Sequence, residues 1–140
     1  NRWSKKSIIP QKQTFGRIVA SRIFNFIVKI FFFMDYQDTQ CGAKLFRAKE
    51  LAHVVDKVFI TQWAFDVNLL YMYKRNNFKV IQVPTTWQDK TMSHIDIIRS
   101  SIKMFSGILR LRLIYSPFNF VVRFYDKLPR ILKLNHSLID

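Results

Sequence analysis

The segment DTQCGAKLFR, residues 38–47, lies between two stretches whose apolar residues repeat at helical spacing. Before it, residues 15 to about 34 follow Thr14, a residue type favoured at helix N-caps. After it, residues 48–55 suit a short helix. The polar residues 35–42 predict a loop, and residues 43–46 predict a short strand. We therefore expect two helices joined by a loop and a short strand.

The rest of the chain mixes helical and strand patterns. Residues 63–75 predict a helix that stops at Asn76-Asn77, and residues 78–83 alternate as a strand would before Pro84. Residues 95 to about 115 predict a further helix, and residues 118–134 are aromatic, apolar and basic. No run reaches the ~18 to 20 uninterrupted apolar residues that a membrane-spanning helix needs. The sequence thus predicts short strands between its helices.

The charge distribution calls for an anionic partner. The chain has 23 Lys and Arg residues against 9 Asp and Glu, a net charge of +14. Nucleic acid, phospholipid or a phosphorylated substrate could balance it. Toward the C-terminus, Phe and Val residues alternate with Arg123, Lys127 and Arg130, which favours a lipid interface. No RNP motif or zinc finger occurs, so we expect no nucleic-acid partner.

One helix carries a polar stripe on an otherwise apolar sequence. Its members are spaced by four residues and therefore share a face: Arg17, Ser21, Asn25 and Lys29. Arginine and a hydroxyl one turn apart suit the binding of an oxyanion such as phosphate. A solvated helix face would produce the same pattern, so the spacing alone leaves both interpretations open.

Several chemistries are not expected within this chain. It contains no Gly-rich phosphate loop, no G-x-S-x-G and no D-x-D, and its three histidines are isolated from one another. A metal site in this chain is therefore not expected. Its one cysteine, Cys41, excludes an internal disulfide, fits a cytosolic setting and is best explained as a buried structural thiol.

Six short motifs occur in a fixed order over residues 1–115. They are SRIFN (21–25) followed by DTQCGAKLFR (38–47), then WAFDVNLL (63–70), then VIQVP (80–84) followed by WQD (87–89), and finally RLR (110–112). Together they resemble the family-2 glycosyltransferases that make polyprenyl-phosphate sugars. The D-T-Q-C-G-x-K-L-F form is most similar to the dolichyl-phosphate glucosyltransferases among them. Asn68, Ala43 and His94 depart from the Glu, Phe and Lys usual in that family.

The resemblance implies a GT-A fold, a Rossmann-like α/β domain whose N-terminal half holds the sugar nucleotide and a D-x-D metal site. Residues 1–94 would be the acceptor-side half, and residues 95–140 would be amphipathic basic helices at a membrane interface. A divalent metal, Mg or Mn, is expected in the full-length enzyme and not in this chain alone. The implied partners are a polyprenyl phosphate, a sugar nucleotide held by the other half, and an anionic membrane surface on its cytoplasmic face.

The resemblance also assigns site residues. Those matching the acceptor-phosphate positions are Arg2, Arg17 and Ser21, and Lys90 matches a basic residue near the donor diphosphate. Those matching loop and structural positions are Asp38, Gly42, Asp66, Asp89 and Ser93. No catalytic residue is assigned, and we expect the chain alone to be inactive. A non-catalytic basic module that binds membrane surfaces is the alternative function.

Overall fold

A computed structural model describes residues 1–10, 13–58, 64–88 and 97–127. Those parts contain five helices, which are α1 (Phe15–Phe32), α2 (Ala48–Val55), α3 (Phe65–Arg75), α4 (Ile97–Ile114) and α5 (Asn119–Lys127). The predicted helices at 15–34, 48–55, 63–75 and 95–115 are confirmed over their described residues to within a few positions, and residues 63, 95 and 96 lie outside the described ranges. Thr14 occupies the N-cap position of α1, although its side chain makes no capping hydrogen bond.

Two helix ends have clear local causes. At the end of α1, Phe33 adopts a left-handed conformation with φ of 53°, and Lys74 Nζ donates to its carbonyl oxygen. At the end of α3, Asn77 adopts φ of 56° and Asn76 Nδ2 donates to the Met72 carbonyl at 2.8 Å. Asparagine tolerates this conformation better than most residues, so Asn76-Asn77 acts as the predicted stop.

The predicted strands at 43–46 and 78–83 are wrong for the part of the chain that the structure describes. The one β-bridge there is a parallel contact between Ile8 and Thr86. A strand requires a neighbouring backbone that completes a ladder of hydrogen bonds. Residues 78–81 keep the alternation, with Val80 packed inward and Ile81 exposed, whereas residues 82 and 83 are both exposed, and no other described segment pairs along them. Alternation predicts which side chains are buried and cannot supply the pairing partner.

The main core lies between α1, α3 and α4. Phe24, Val28 and Phe32 of α1 meet Val67 and Leu70 of α3 there, and α4 adds Ile108 and Leu111. Burying each of these side chains fully contributes roughly 1.5 to 3 kcal/mol. Gly107 lets α4 approach Ala64, the N-cap residue of α3, closely, since a Cβ at position 107 would lie 3.1 Å from Ala64 Cβ. These contacts fix the inner face of α1.

A second cluster covers the opposite side of α3. Leu69, Met72 and Tyr73 pack there against Val54 of α2. The Tyr73 and Phe78 rings meet edge-to-face with centroids 5.5 Å apart. Helix α3 is therefore buried on two sides. Phe46, from the loop between α1 and α2, packs against this second cluster.

Candidate functional site

The N-terminal turn is tied to the loop between α1 and α2, residues 33–47, which we call the central loop. Arg2 donates from Nε to Asp38 Oδ2 at 2.8 Å and from Nη2 to Oδ1 at 2.9 Å. The backbone N–H of Arg2 also donates to Oδ2 at 2.9 Å. The Asp38 side chain is 2% exposed and that of Arg2 is 13% exposed.

Arg2 also determines the ionisation of this carboxyl group. Burial raises the pKa of Asp38. The hydrogen bonds and the positive charge of Arg2, together with a backbone hydrogen bond from Gln40, lower the pKa by more than burial raises it. The net pKa lies below the usual range of aspartate. Asp38 is therefore a carboxylate at neutral pH. The pair is a buried bidentate ion pair, a geometry in which charge-assisted hydrogen bonds are strong.

Two tryptophans complete the attachment of the N-terminal turn. The Arg2 guanidinium lies over the Trp87 ring at 5.4 Å from its centroid. Trp3, next along the chain, lies under the Arg22 guanidinium of α1 at 4.2 Å. Both distances fall within the range of cation–π attraction. The turn thus contacts α1, the central loop and the segment before residue 88.

The polar stripe on α1 divides into two parts with different roles. Asn25 is only 8% exposed, and its Nδ2 donates to the carbonyls of Tyr36 at 3.1 Å and Gln37 at 3.0 Å. Its Oδ1 accepts from Thr39 Oγ1 at 3.3 Å. Asn25 therefore fastens the central loop to α1. Lys29 forms a surface ion pair of 2.7 Å with Asp35.

Arg17 and Ser21 form the other part of the stripe. They lie one turn apart on α1, in the two turns before Asn25, and both are half-buried. Arg17 and Ser21 share a face of α1 with Asn25, because side chains four residues apart align along a helix. On that face the Asn25 side chain contacts the central loop. The phosphate-binding role of Arg2, Arg17 and Ser21 stays a prediction.

The predicted structural residues have distinct surroundings. Lys44 Nζ lies 2.9 Å from Asp66 Oδ1 and donates to the Cys41 carbonyl at 2.6 Å. Cys41 is buried, as expected for a structural thiol. Gly42 is exposed, and an added Cβ would meet nothing within 4 Å, so the described structure offers no steric reason for glycine there.

Three predicted site residues, Asp89, Lys90 and Ser93, lie outside the described residues. Among the residues that the structure does describe, no group of His, Cys, Asp and Glu could hold a metal ion. The sequence reasoning missed Trp3, Arg22 and Trp87 as contacts of the N-terminal turn. The Trp3–Arg22 contact joins residues that are distant in the sequence, and no motif or periodicity relates the two positions. Sequence patterns therefore could not predict it.

A basic and apolar surface lies on α5. Phe120, Val121 and Phe124 line a shallow, open groove together with Arg123 and Lys127. Helix α1 carries its own stripe of exposed apolar residues, which are Phe15, Val19, Ile23, Phe26 and Ile30, and the exposed Phe33 follows at its C-cap. Within the described ranges, no helix combines the length and apolar character needed to cross a bilayer.

Comparison with known proteins finds similarity to glycosyltransferases. It is 33% identical over 104 residues to a dolichyl-phosphate beta-glucosyltransferase of Dictyostelium discoideum, covering 74% of this chain and 32% of that relative. It is 31% identical over 110 residues to glycosyltransferase AglD of Haloferax volcanii, covering 79% and 17%. The human dolichyl-phosphate beta-glucosyltransferase is 29% identical over 111 residues, covering 79% and 34%.

The chain is therefore homologous to a region of known glycosyltransferases. More narrowly, the similarity extends to a region of dolichyl-phosphate beta-glucosyltransferases, in line with the resemblance of its motifs. It spans about a third or less of the length of these three relatives. No family profile and no solved structure matches the chain.

Proposed function

We propose that this chain is the acceptor-side part of a glycosyltransferase that moves a hexose from a sugar nucleotide to a polyprenyl phosphate of the dolichyl type. The observation that carries the proposal is the similarity to dolichyl-phosphate beta-glucosyltransferases over about three quarters of the chain. The GT-A fold belongs to the same proposal, with the sugar nucleotide held mainly outside these residues.

The proposed reaction needs positioning more than base catalysis. A phosphate oxygen of the lipid forms a bond to the anomeric carbon of the sugar. The bond from that carbon to the nucleotide diphosphate breaks, and its electron pair leaves with the diphosphate. A lipid phosphate is already ionised near neutral pH, so no side chain has to remove a proton from it. The protein must instead hold two anions close together.

Arginine suits that task because its planar fork can hold two phosphate oxygens at once. Arg17 and Ser21 would provide such a site on α1, with Arg2 approaching from the N-terminal turn. A divalent metal would supply further positive charge at the nucleotide diphosphate. The acceptor site proposed here consists of arginine and serine side chains.

We also propose that α5 lies on the cytoplasmic face of an anionic membrane. Its exposed Phe120 and Phe124 would enter the headgroup boundary while Arg123 and Lys127 remain at the charged surface. Each basic residue near such a surface contributes about 1 kcal/mol of attraction. This placement would bring the enzyme to a substrate whose phosphate sits at the same boundary.

The test is transfer by the complete enzyme in vesicles that contain a polyprenyl phosphate. Radiolabelled UDP- and GDP-hexoses are supplied in turn, and the lipid extract is analysed for a polyprenyl-phosphate hexose. We expect one sugar nucleotide to give a lipid-linked product that disappears when the polyprenyl phosphate is omitted. Vesicle binding without any lipid-linked product would instead indicate the non-catalytic membrane-surface module.

A further inference from the structure

The Arg2–Asp38 pair differs from the other ion pairs that the structure describes by its burial. The side chain of Asp38 is almost fully enclosed, whereas Asp66 is 33% exposed and Asp35 is 97% exposed. Enclosing a carboxylate is unfavourable unless it is paired and hydrogen-bonded. Asp38 receives one backbone and two side-chain bonds from Arg2. Such a pair fixes a geometry, unlike a surface bridge of two mobile side chains.

The geometry of the pair determines how the guanidinium is oriented. Asp38 engages Nε and Nη2, which form one edge of the fork. Arginine has five N–H donors in one plane, and phosphate is recognised through pairs of them. Fixing one edge on a carboxylate therefore fixes the direction in which the Nη1 side points. The Trp87 ring, 5.4 Å from Arg2 Cζ, restricts the same group further.

The neighbouring loop residue is attached to the helix that carries the other predicted phosphate ligands. Thr39, directly after Asp38, donates to Asn25 Oδ1, and Asn25 holds two central-loop carbonyls. Arg17 and Ser21 lie on the same face of α1 as Asn25. The orientation of Arg2 and the position of α1 are therefore set by adjacent residues of one loop.

We infer that Asp38 is a positioning residue for the acceptor lipid: it holds the Arg2 guanidinium in the orientation in which Arg2 contributes to the proposed phosphate site with Arg17 and Ser21. The inference rests on the proposed function, because it concerns the same acceptor site. Asp38 does not touch the substrate; it acts through Arg2, and its loop keeps Arg2 and α1 in register.

The experiment uses the complete enzyme and steady-state kinetics with polyprenyl phosphate and the sugar nucleotide varied separately. We expect Asp38→Asn to raise the KM for the lipid about tenfold or more, since a misplaced binding group loses much of its effect. The kcat and the KM for the sugar nucleotide should stay within about twofold. In the double variant with Arg2→Lys, removing Asp38 should add little, because its effect passes through Arg2.

The matched control is Asp35→Asn, which makes the same substitution in the same loop at an exposed carboxylate paired with Lys29. Its lipid KM should stay near that of the wild type. If Asp38→Asn does not fold, Asp38→Glu keeps the charge and shifts it by one methylene. The same selective rise in lipid KM is then expected, in smaller measure.

Three outcomes would overturn the inference. One is an unchanged lipid KM in a folded Asp38 variant, and another is an equal loss in every kinetic parameter that tracks a lower Tm. The third is a double variant whose effects multiply as if the two residues were independent. The proposed function fails separately, if the wild-type enzyme forms no lipid-linked sugar at all.

Discussion

Lys44 Nζ lies 2.9 Å from Asp66 Oδ1, and this ion pair joins the central loop to the first turn of α3. The two residues belong to the D-T-Q-C-G-A-K-L-F and W-A-F-D motifs, which are separate in the sequence. Asp66 also stands where a negative charge favours a helix, beside its N-terminus. The loop is thus held by α1 through Asn25, by the N-terminal turn through Asp38, and by α3 through Lys44.

Removing the Lys44 ammonium should weaken this attachment modestly. We expect Lys44→Met to lower the free energy of unfolding of the purified chain by about 0.5 to 1 kcal/mol, because Asp66 stays partly solvated after the loss. Urea unfolding followed by circular dichroism measures the change. Lys49→Met, at an exposed position of α2, is the control and should leave the midpoint unchanged. Equal shifts in both variants would contradict a specific role for the ion pair.

Arg17 should determine how the complete enzyme uses the lipid. Arg17→Ala is expected to remove a charged hydrogen-bonding group worth roughly 1.5 to 3 kcal/mol. That corresponds to about a tenfold to hundredfold loss of kcat/KM for the polyprenyl phosphate. Arg17→Lys should recover only part of the loss, because an ammonium cannot make the two-pronged contact. The KM for the sugar nucleotide should barely change.

Lys29→Ala is the control for Arg17, since it removes a basic residue from the same face of α1 at a surface ion pair. Its lipid kinetics should stay within about twofold of the wild type. If Arg17→Ala did the same, the solvated-surface interpretation of the stripe would hold. A loss confined to sugar-nucleotide affinity would place Arg17 on the donor side.

Asn25 should matter for stability more than any other stripe residue. Asn25→Ala deprives the Tyr36 and Gln37 carbonyls of their amide donor in a largely buried setting. We expect a loss of about 1 to 3 kcal/mol in the free energy of unfolding. Thermal and urea unfolding of the purified chain measure it, with Lys29→Ala one turn later as the matched control. Similar values for the two variants would show that Asn25 does not fasten the loop.

The Arg2–Asp38 pair should make stability depend on pH in the acid range. Because the pKa of Asp38 is lowered in the folded protein, the unfolded chain binds the proton more readily. The pair therefore stabilises the fold above the ordinary aspartate pKa of about 3.9, and the contribution is lost as pH falls through the lower folded-state value. Asp38→Asn should reduce stability at pH 7 and converge with the wild type in acid.

Urea midpoints for wild type and Asp38→Asn between pH 7 and the acid limit of folding test this dependence. Asp35→Asn is the control: the hydrogen bond from Lys29 also lowers the pKa of Asp35, but this carboxylate is exposed, so its pH-dependent contribution should be much smaller. A constant difference between Asp38→Asn and the wild type across the whole range would mean that the charge of Asp38 is not what stabilises the fold.

Helix α5 should bind anionic vesicles through its basic residues. Replacing Arg123 and Lys127 together by Gln is expected to weaken binding to phosphatidylserine vesicles by about thirtyfold, at about 1 kcal/mol for each charge. Flotation with phosphatidylserine and with phosphatidylcholine vesicles measures this. Lys49→Gln with Lys57→Gln removes the same charge near α2 and should have a smaller effect. Equal wild-type binding to both vesicle types would exclude the electrostatic contribution.

Local patterns predicted the helices well because a helix satisfies its own backbone. Residues 15–34 and 48–55 became α1 and α2 nearly as expected, and Asn76-Asn77 ended α3. The strand predictions at 43–46 and 78–83 failed within the described residues because a strand depends on a distant partner for its hydrogen bonds. The ordered motifs indicated the glycosyltransferase relationship, since residue identity at fixed spacing is a property of the sequence itself.

The sequence by itself determined that Arg17, Ser21, Asn25 and Lys29 share a face of α1, because helical periodicity is a local property. Only the tertiary structure decided what that face does: the returning loop brings two carbonyls onto Asn25 and Asp35 beside Lys29. It likewise placed Asp38 against Arg2, 36 residues away, and enclosed the pair. Periodicity gives the direction of a side chain, whereas its partner depends on which distant segment the core brings there.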